Sequence, residues 1–394
     1  MSAKPLSGIR VVDLSHTLAG PFATMLLADL GAEVIKVEPP HGDETRQWAP
    51  LVRGISAYYL SINRGKKSVV VDLTRDKGRE IVYKLVARSH IVIENYRPGV
   101  REKLGVDPDT LFKYNDKLVY ISIKGFRPGS VYEKLPAYDI IVQGMSGIML
   151  STGFENEPPV KIPFALFDVY TGMLAALNAV VGIYSSVKPY YAEVYLYDTA
   201  VFSMCYIPMI YLLTGRKPKR MGHAHPSIVP YQAFRGSDGK WFIVAAANDR
   251  FFTKLCEAIG KPELSSDPRF KTNPDRVAHR EELVSILEKV FSEKPRDYWV
   301  ELLRKYGVPA SPVYELDEVF GDTYVAENIV YELNHRVLGS LKQLAEPFTI
   351  NGEKPLSNTP PPELGEHTRR VLRELGYSDE EINELIKEGV VKES

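Results

Sequence analysis

Cysteine is almost missing from this chain: two residues, Cys205 and Cys256, among 394. So sparse a supply excludes a disulfide framework and a cysteine-built zinc site, and no metal is expected. Both cysteines lie in apolar, helical surroundings (Ser203-Met204-Cys205-Tyr206 and Lys254-Leu255-Cys256-Glu257), which predicts two buried thiols. A charge excess is missing too. With 49 Lys+Arg against 50 Asp+Glu the formal net charge is -1. Nothing global recruits nucleic acid or an anionic membrane, so neither is expected as a partner, and any anion must be held by local clusters.

Several signatures are absent as well. Past the first strand the chain runs Asp13-Leu14-Ser15-His16-Thr17-Leu18-Ala19-Gly20-Pro21, with no GxGxxG, and no Walker A sequence occurs. There is no GxSxG elbow and no Ser-His-Asp order, which argues against a hydrolase of that type. Met1–Arg10 holds no apolar core of signal-peptide length, and Thr199–Leu213 is too short for a bilayer. Val169–Val187 approaches spanning length but carries Thr171, Asn178 and two glycines, which predicts a buried core helix. The expected localisation is cytoplasmic. No internal repeat or low-complexity segment is present.

What the chain does have is length enough for two domains and an alternation of apolar runs. Strands are predicted at Arg10–Leu14, Ala32–Glu38, Ser68–Leu73, His90–Asn95 and Lys117–Lys124, with helices at Pro21–Leu30 and Arg75–Ala87. VIKV, VVVDL and IVIEN are apolar without alternation, as strands buried on both faces are. That predicts an α/β fold with a mostly parallel, Rossmann-like sheet. A second α/β region opens near Lys217, with a strand at Trp241–Ala247 and helices at Arg250–Ile259, Arg276–Ser292 and Arg296–Tyr306. The tail returns to helices, at Glu366–Leu375 and, behind a capping box at Ser378–Glu381, at Glu380–Lys387. The expected division is a large domain over 1–215, a small domain with linker over 216–330, and a return to the large domain over 331–394.

One residue stands out. Asp168 follows the loop Val160-Lys161-Ile162-Pro163 and opens the apolar stretch, at a helix N-cap position. Amide hydrogen bonds and the helix dipole would favour its ionised form, the form a carboxylate nucleophile needs. On spacing alone a purely structural cap is the commoner reading. Three segments offer to bind an anion: Asn63–Ser68, Glu94–Lys103, and Gly42–Arg46 with Arg53. Each singly reads as a solvated loop. Two basic, glycine-containing turns together point to a phosphate-bearing ligand. His223 and His225 have no third ligand nearby, so they read as a structural loop.

Taken in order, these segments resemble the family III CoA-transferases, the formyl-CoA and carnitine CoA-transferase group related to the α-methylacyl-CoA racemases. The resemblance rests on PLSGIRVVDLS (Pro5–Ser15), AGP (Ala19–Pro21), LLADLGAEVIKVEPP (Leu26–Pro40), GDETR (Gly42–Arg46), NRGKKSVVVDL (Asn63–Leu73) and ENYRPGVREKLG (Glu94–Gly105). It continues through NDRFFTKLCEAIG (Asn248–Gly260), DPRFKTNPDRVAHREEL (Asp267–Leu283) and PPPELGEHTRRVLRELG (Pro360–Gly376). It implies the family's fold, an interlocked homodimer with linkers near 190–240 and 310–350, and coenzyme A or acyl-CoA as substrate with no permanently bound cofactor. It implies that Asp168 is the aspartate that becomes acylated, that His16 stands where many members have glutamine beside the reacting carbonyl, and that Tyr138 is near the site. Lys67, Asn95, Tyr96, Arg97 and Lys103 fall in the segments that hold CoA. Apart from the resemblance, basic residues such as Arg46 are candidates to receive a second carboxylate.

Three departures from the family pattern matter. Ala245-Ala246-Ala247-Asn248-Asp249 replaces a glycine-rich stretch, so a mobile lid there is not expected. Gly125–Tyr132 departs from the usual GFG-x-x-GP, and the turn between Ser185 and Ala192 lacks a common insert, which predicts a shortened hairpin. The expected activity moves CoA between an acyl-CoA and a free carboxylic acid through aspartyl anhydride and aspartyl-CoA intermediates. The alternative is a 2-methylacyl-CoA racemase or epimerase. Tyr138 stands where racemases place a histidine, and an unperturbed tyrosine is a poor base near neutral pH, which favours transfer.

Overall fold

A computed structural model describes residues 4–394. The chain divides into two compact units, Met1–Gly147 with Ile162–Pro208 and Tyr324–Ser394, and Ile148–Lys161 with Met209–Thr323. The boundaries expected at 215 and 330 differ from this division: residues 148–161 and 209–215 go with the second unit, and 324–330 with the first.

The first unit is built on six parallel strands: β1 (Arg10–Asp13), β2 (Glu33–Glu38), β3 (Lys66–Val71), β4 (Ile91–Glu94), β5 (Val119–Lys124) and β6 (Tyr190–Tyr195). Their order is β3-β2-β1-β4-β5-β6, and Val391–Lys392 adds an antiparallel strand outside β3. Successive strand residues face opposite ways. Val12 packs with Ile35, Val92 and Ile81 on one side. Its neighbour Val11 packs with Val34, Ile91 and Ala175 on the other. Both faces are buried, so these strands show no polar alternation. The shortened hairpin expected at 185–192 is not one: the segment leads from a helix into β6, which runs parallel to β5.

The chain lays β2 and β3 on one side of β1 and β4 to β6 on the other. The connection therefore reverses direction between β1 and β4. In open parallel sheets, ligands bind in the crevice beyond the carboxyl ends of the strands at such a point.

The helix Leu166–Tyr184 packs by its small residues. A Cβ on Gly172 would lie 2.6 Å from the Ala19 carbonyl oxygen, so only glycine permits this approach to the helix Ala19–Asp29. The buried core helix expected here is buried on one face alone. Tyr170, Met173, Leu177 and Val181 are 39 to 57% exposed on the other.

The second unit holds a three-stranded antiparallel sheet, Ala310–Pro312, Trp241–Ala245 and Tyr231–Arg235, packed against helices around Phe234, Phe242, Phe291 and Trp299. The single helix expected over 276–292 is two, Asn273–Ala278 and Arg280–Phe291. A capping box between Thr272 and Asp275 starts the first. Arg276 is fully buried, donating to the carbonyls of Val229 and Phe270 and pairing with Asp249. His223 packs edge-on against Phe154, and His225 Nδ1 accepts the Ser227 N–H, so both serve a structural loop. No group of three or more His, Cys, Asp or Glu gathers among the described residues.

Of the two thiols expected to be buried, only Cys256 is, and burial pushes its pKa up to about 12. Cys205, in the first unit, is exposed, because it sits at the left-handed break (φ 53°) that ends the helix Leu196–Ser203.

Candidate functional site

A cavity of about 830 Å³ opens in the first unit, at the carboxyl ends of its strands. Strands β1 to β5 each deliver a piece of the wall. Ser15 to Thr17 follow β1, Lys36 and Glu38 end β2, Asp72 to Thr74 follow β3, Asn95 to Arg97 follow β4, and Lys124 to Phe126 end β5. Tyr138 and Asp168 close the list of chemically active walls. Gly125 makes one of these approaches possible: a Cβ there would meet the Ala137 Cβ at 2.1 Å, so glycine lets Ala137-Tyr138 lie against the end of β5.

Asp168 is not the N-cap of its helix. Ala165 holds that position, and Asp168 is three residues further on. The cap comes from elsewhere: Asp139 Oδ1 accepts the Phe167 N–H at 2.8 Å, and Asp139 Oδ2 accepts from Gln143 Nε2 at 2.5 Å. The charge state differs from expectation as well. Burial, with the Asp139 charge adding to it, raises the Asp168 carboxyl to about 7. The helix dipole is worth about 0.3–1 kcal/mol, too little to offset desolvation with no cation among the described residues paired to the carboxylate. Tyr58 shares this field. Its hydroxyl is pushed up to about 12 by burial first and then by Asp168 and Asp139.

His16 reaches the cavity from the loop after β1. Its ring lies 5.7 Å from the Tyr96 ring, and desolvation lowers its pKa, so the imidazole is neutral near pH 7. Its backbone is fully engaged. The His16 N–H donates to Asn95 Oδ1 at 3.0 Å, and Asn95 Nδ2 donates to the His16 carbonyl at 2.8 Å. The His16 amide is therefore not open as an oxyanion donor, and the Asn95 side chain spans the switch point between β1 and β4. Tyr96 is part-buried, its N–H donating to Glu94 Oε2 at 2.7 Å. Arg97 donates to the Tyr138 hydroxyl at 3.4 Å and makes no ion pair among the described residues.

The site residues expected from sequence thus separate. Asp168, His16, Tyr138, Asn95, Tyr96 and Arg97 line one cavity, whereas Lys67 and Lys103 do not. Lys67 is near the amino end of β3, opposite the crevice edge, and is paired with Glu33. Lys103 is exposed on the short helix Val100–Leu104, while its neighbour Arg101 lines the cavity, held by Glu94 at 3.2 Å, Ser122 at 3.1 Å and Tyr191 at 3.1 Å. The basic segment 63–68 turns inward. Arg64 pairs with Asp29 and Glu346, and Lys66 with Asp13, burial bringing the Lys66 pKa down to about 8. Arg46 is not open to a second carboxylate, since Glu38 holds it at 2.7 Å and the Tyr59 hydroxyl at 2.6 Å. Asp139, Tyr58 and Arg101 were missed. Arg101 lies inside a run already marked as basic, and Asp139 follows Tyr138 directly.

In the second unit, Ala245 ends a strand and Asn248 caps the next helix by accepting the Phe251 N–H at 3.0 Å. Ala246 and Ala247 form the short link between the two, the Ala246 N–H donating to the Pro230 carbonyl at 2.9 Å.

A parallel α/β sheet thus carries at its crevice a half-buried carboxylate, a neutral imidazole and a guanidinium unpaired among the described residues, a set suited to an acyl-transfer enzyme. The model of CoA-transferase family III matches residues 6–368, and the chain belongs to that family, of the CaiB/BaiF type. It is 38% identical to the succinyl-CoA:glutarate CoA-transferase of Mus musculus over 399 residues, covering 100% of this chain and 91% of that protein. It is 39% identical over 319 residues to the acetyl-CoA:oxalate CoA-transferase of Acetobacter aceti, covering 80% of this chain and 82% of that one. The crystal structure of a CaiB/BaiF family protein from Brucella suis superimposes with a TM-score of 0.85 at 38% identity, covering 95% of this chain and 100% of that one.

Proposed function

We propose that this enzyme transfers CoA from an acyl-CoA to a small dicarboxylic acid, with Asp168 as nucleophile. The observation that carries the reading is a half-buried, desolvated carboxylate with no counter-ion among the described residues, lining a strand-end cavity with His16 and Tyr138. An Asp168 oxygen attacks the thioester carbonyl, the C–S bond breaks, and CoA leaves as thiolate. The thiolate then attacks the aspartyl carbonyl, releasing the donor acid and leaving an aspartyl-CoA thioester. The acceptor carboxylate attacks that thioester, forming a second anhydride and freeing the thiolate. Attack of the thiolate on the acceptor acyl carbon yields the new acyl-CoA and regenerates Asp168. Covalent steps of this kind divide one hard exchange into easier ones.

Each tetrahedral intermediate carries an oxyanion. The neutral His16 ring N–H and the Tyr138 hydroxyl are the donors on hand, and removing one such donor typically costs about a hundred- to a thousandfold in rate. Arg97 and the exposed Lys103 supply charge for the CoA phosphates, while Arg101, held by Glu94 and Glu102, shapes with Tyr96 and Asn95 the wall they approach. Lys67, held by Glu33, has no part in this reading. The relatives' substrates, succinate with glutarate and oxalate, motivate the dicarboxylate class. The apolar stripe Tyr170-Met173-Leu177-Val181 supports a homodimer in which a second copy covers it. Two free thiols suit the reducing cytoplasm.

The test is one incubation in D2O with a 2-methylacyl-CoA, succinyl-CoA and a panel of free acids, followed by mass spectrometry of every CoA thioester. New thioesters without α-deuterium are expected. Deuterium uptake without acyl exchange would establish the racemase alternative instead.

A further inference from the structure

The loop that carries His16 is held by three side chains, from a strand, from the loop after another strand and from the turn that follows β2. Lys36 Nζ donates to the Ser15 carbonyl at 2.7 Å. Asn95 brackets the His16 backbone, as described above. The Asp43 carboxylate accepts the Thr17 N–H, at 3.3 Å to each oxygen. Thr17 lies at φ +70°, in the left-handed region that a β-branched residue rarely enters. Such a conformation costs on the order of 1–3 kcal/mol and persists only where its surroundings over-determine it. Asp43 is well placed to do that. It is 2% exposed, paired with the fully buried Lys36 at 2.9 Å, and bonded by Thr45 N and Oγ1 at 2.9 and 2.7 Å. Its oxygens are already shared among Lys36, Thr17 and Thr45, so they are committed within the protein.

We propose that Asp43 is a positioning residue for acyl transfer: by locking Thr17 in its left-handed turn, it sets the His16 imidazole at the wall of the cavity that Asp168 lines. This rests on the transferase reading of the site. A lock of this kind acts on the turn, so its importance depends on how strained the turn is. Glycine adopts positive φ at no steric cost. Replacing Thr17 by glycine removes the strain that Asp43 restrains.

The experiment compares the full-length enzyme with D43N, T45V, T17G and the combinations D43N/T17G and T45V/T17G. In the Thr17 background, D43N is expected to lower kcat roughly tenfold or more, with KM for succinyl-CoA within about twofold of its parent. In the T17G background the same change is expected to cost less than about threefold. T45V keeps the Asp43 charge but loosens its hold, and shows the same dependence on background at smaller size. It stands in if D43N does not fold. An unchanged kcat in D43N, or an equal loss in both backgrounds, would overturn the proposal.

A second readout needs no transferase activity. The charged groups facing His16 are Asp43, Lys36, Glu44 and Asp13. If Asp43 acted only through its charge, D43N would lower the His16 pKa, since a negative neighbour favours imidazolium. If it positions the ring, D43N releases the ring toward water and raises the pKa toward the ordinary histidine value. Titration of 15N-histidine-labelled protein by NMR, with H16N marking the resonance, distinguishes the two. A fall overturns the proposal even if the enzyme proves to catalyse some other reaction.

Discussion

Asp139 accepts the backbone N–H of Phe167 at 2.8 Å and thereby caps the helix that bears Asp168, while its charge adds to the burial that lifts the Asp168 carboxyl to about 7. One carboxylate thus both anchors the helix end and tunes the other. The two are not interchangeable: each Asp139 oxygen accepts a hydrogen bond, from Phe167 and Gln143, whereas among the described residues no hydrogen bond helps to hold the Asp168 charge.

The consequence for rate is a pH profile. With Asp168 as the proposed nucleophile, transfer needs its anion, so kcat/KM for the acyl-CoA is expected to rise with pH through about 7 and then level off. Asp139→Asn removes the second cause of the shift and should move the midpoint to lower pH. A midpoint near the ordinary carboxylate value in the parent enzyme would contradict the assignment of Asp168 as an isolated carboxylate.

The consequence for stability has the opposite sign. Asp168 binds its proton more tightly folded than unfolded, where its value is near 3.8. Stability is therefore fullest below about pH 4 and falls as pH rises toward 7. At about 1.4 kcal/mol per pH unit, the loss over that window is of the order of a few kcal/mol. Asp168→Asn should be more stable than the parent near pH 8 in urea unfolding, and no more stable near pH 4.

Asp168→Ala should abolish transfer while leaving the CoA dissociation constant within about threefold, measured by titration calorimetry. Retained transfer would show that the nucleophile lies elsewhere.

Two cations offer a paired comparison. Arg97 lines the cavity without a carboxylate partner among the described residues, so Arg97→Ala should weaken CoA binding by roughly tenfold, the loss of one charge-assisted contact. Lys67 is committed to Glu33 outside the cavity, so Lys67→Ala should leave CoA binding unchanged and alter stability by less than about 1 kcal/mol. Equal losses in both variants would mean that CoA lies outside the cavity described above.

The apolar stripe predicts an assembly. The 44.3 kDa chain should sediment at twice its mass, and Leu177→Asp, which places a charge on the stripe at a residue 57% exposed, should lower that mass or leave the protein unassembled. A monomeric parent in analytical ultracentrifugation would remove the homodimer from the proposal.

The sequence by itself determined the local part of this protein. Unbroken apolar runs such as VIKV and IVIEN marked strands buried on both faces, because side chains that alternate between two dry faces leave no polar period. Five strands of the sheet and the Ser378 capping box followed from such patterns. Asp168, His16, Tyr138, Asn95, Tyr96 and Arg97 came from the ordered motifs, and all six line one cavity. The tertiary structure decided what depends on distant partners. Strand order placed Lys67 at the wrong end of β3 for the crevice, and burial matched Lys66 and Arg46 to carboxylates instead of ligands. It also gave the helix cap to Asp139 and left Asp168 with a raised pKa. Charge pairing and desolvation act through space, over separations that local sequence patterns do not span, so these features became readable only once the chain had been folded back on itself.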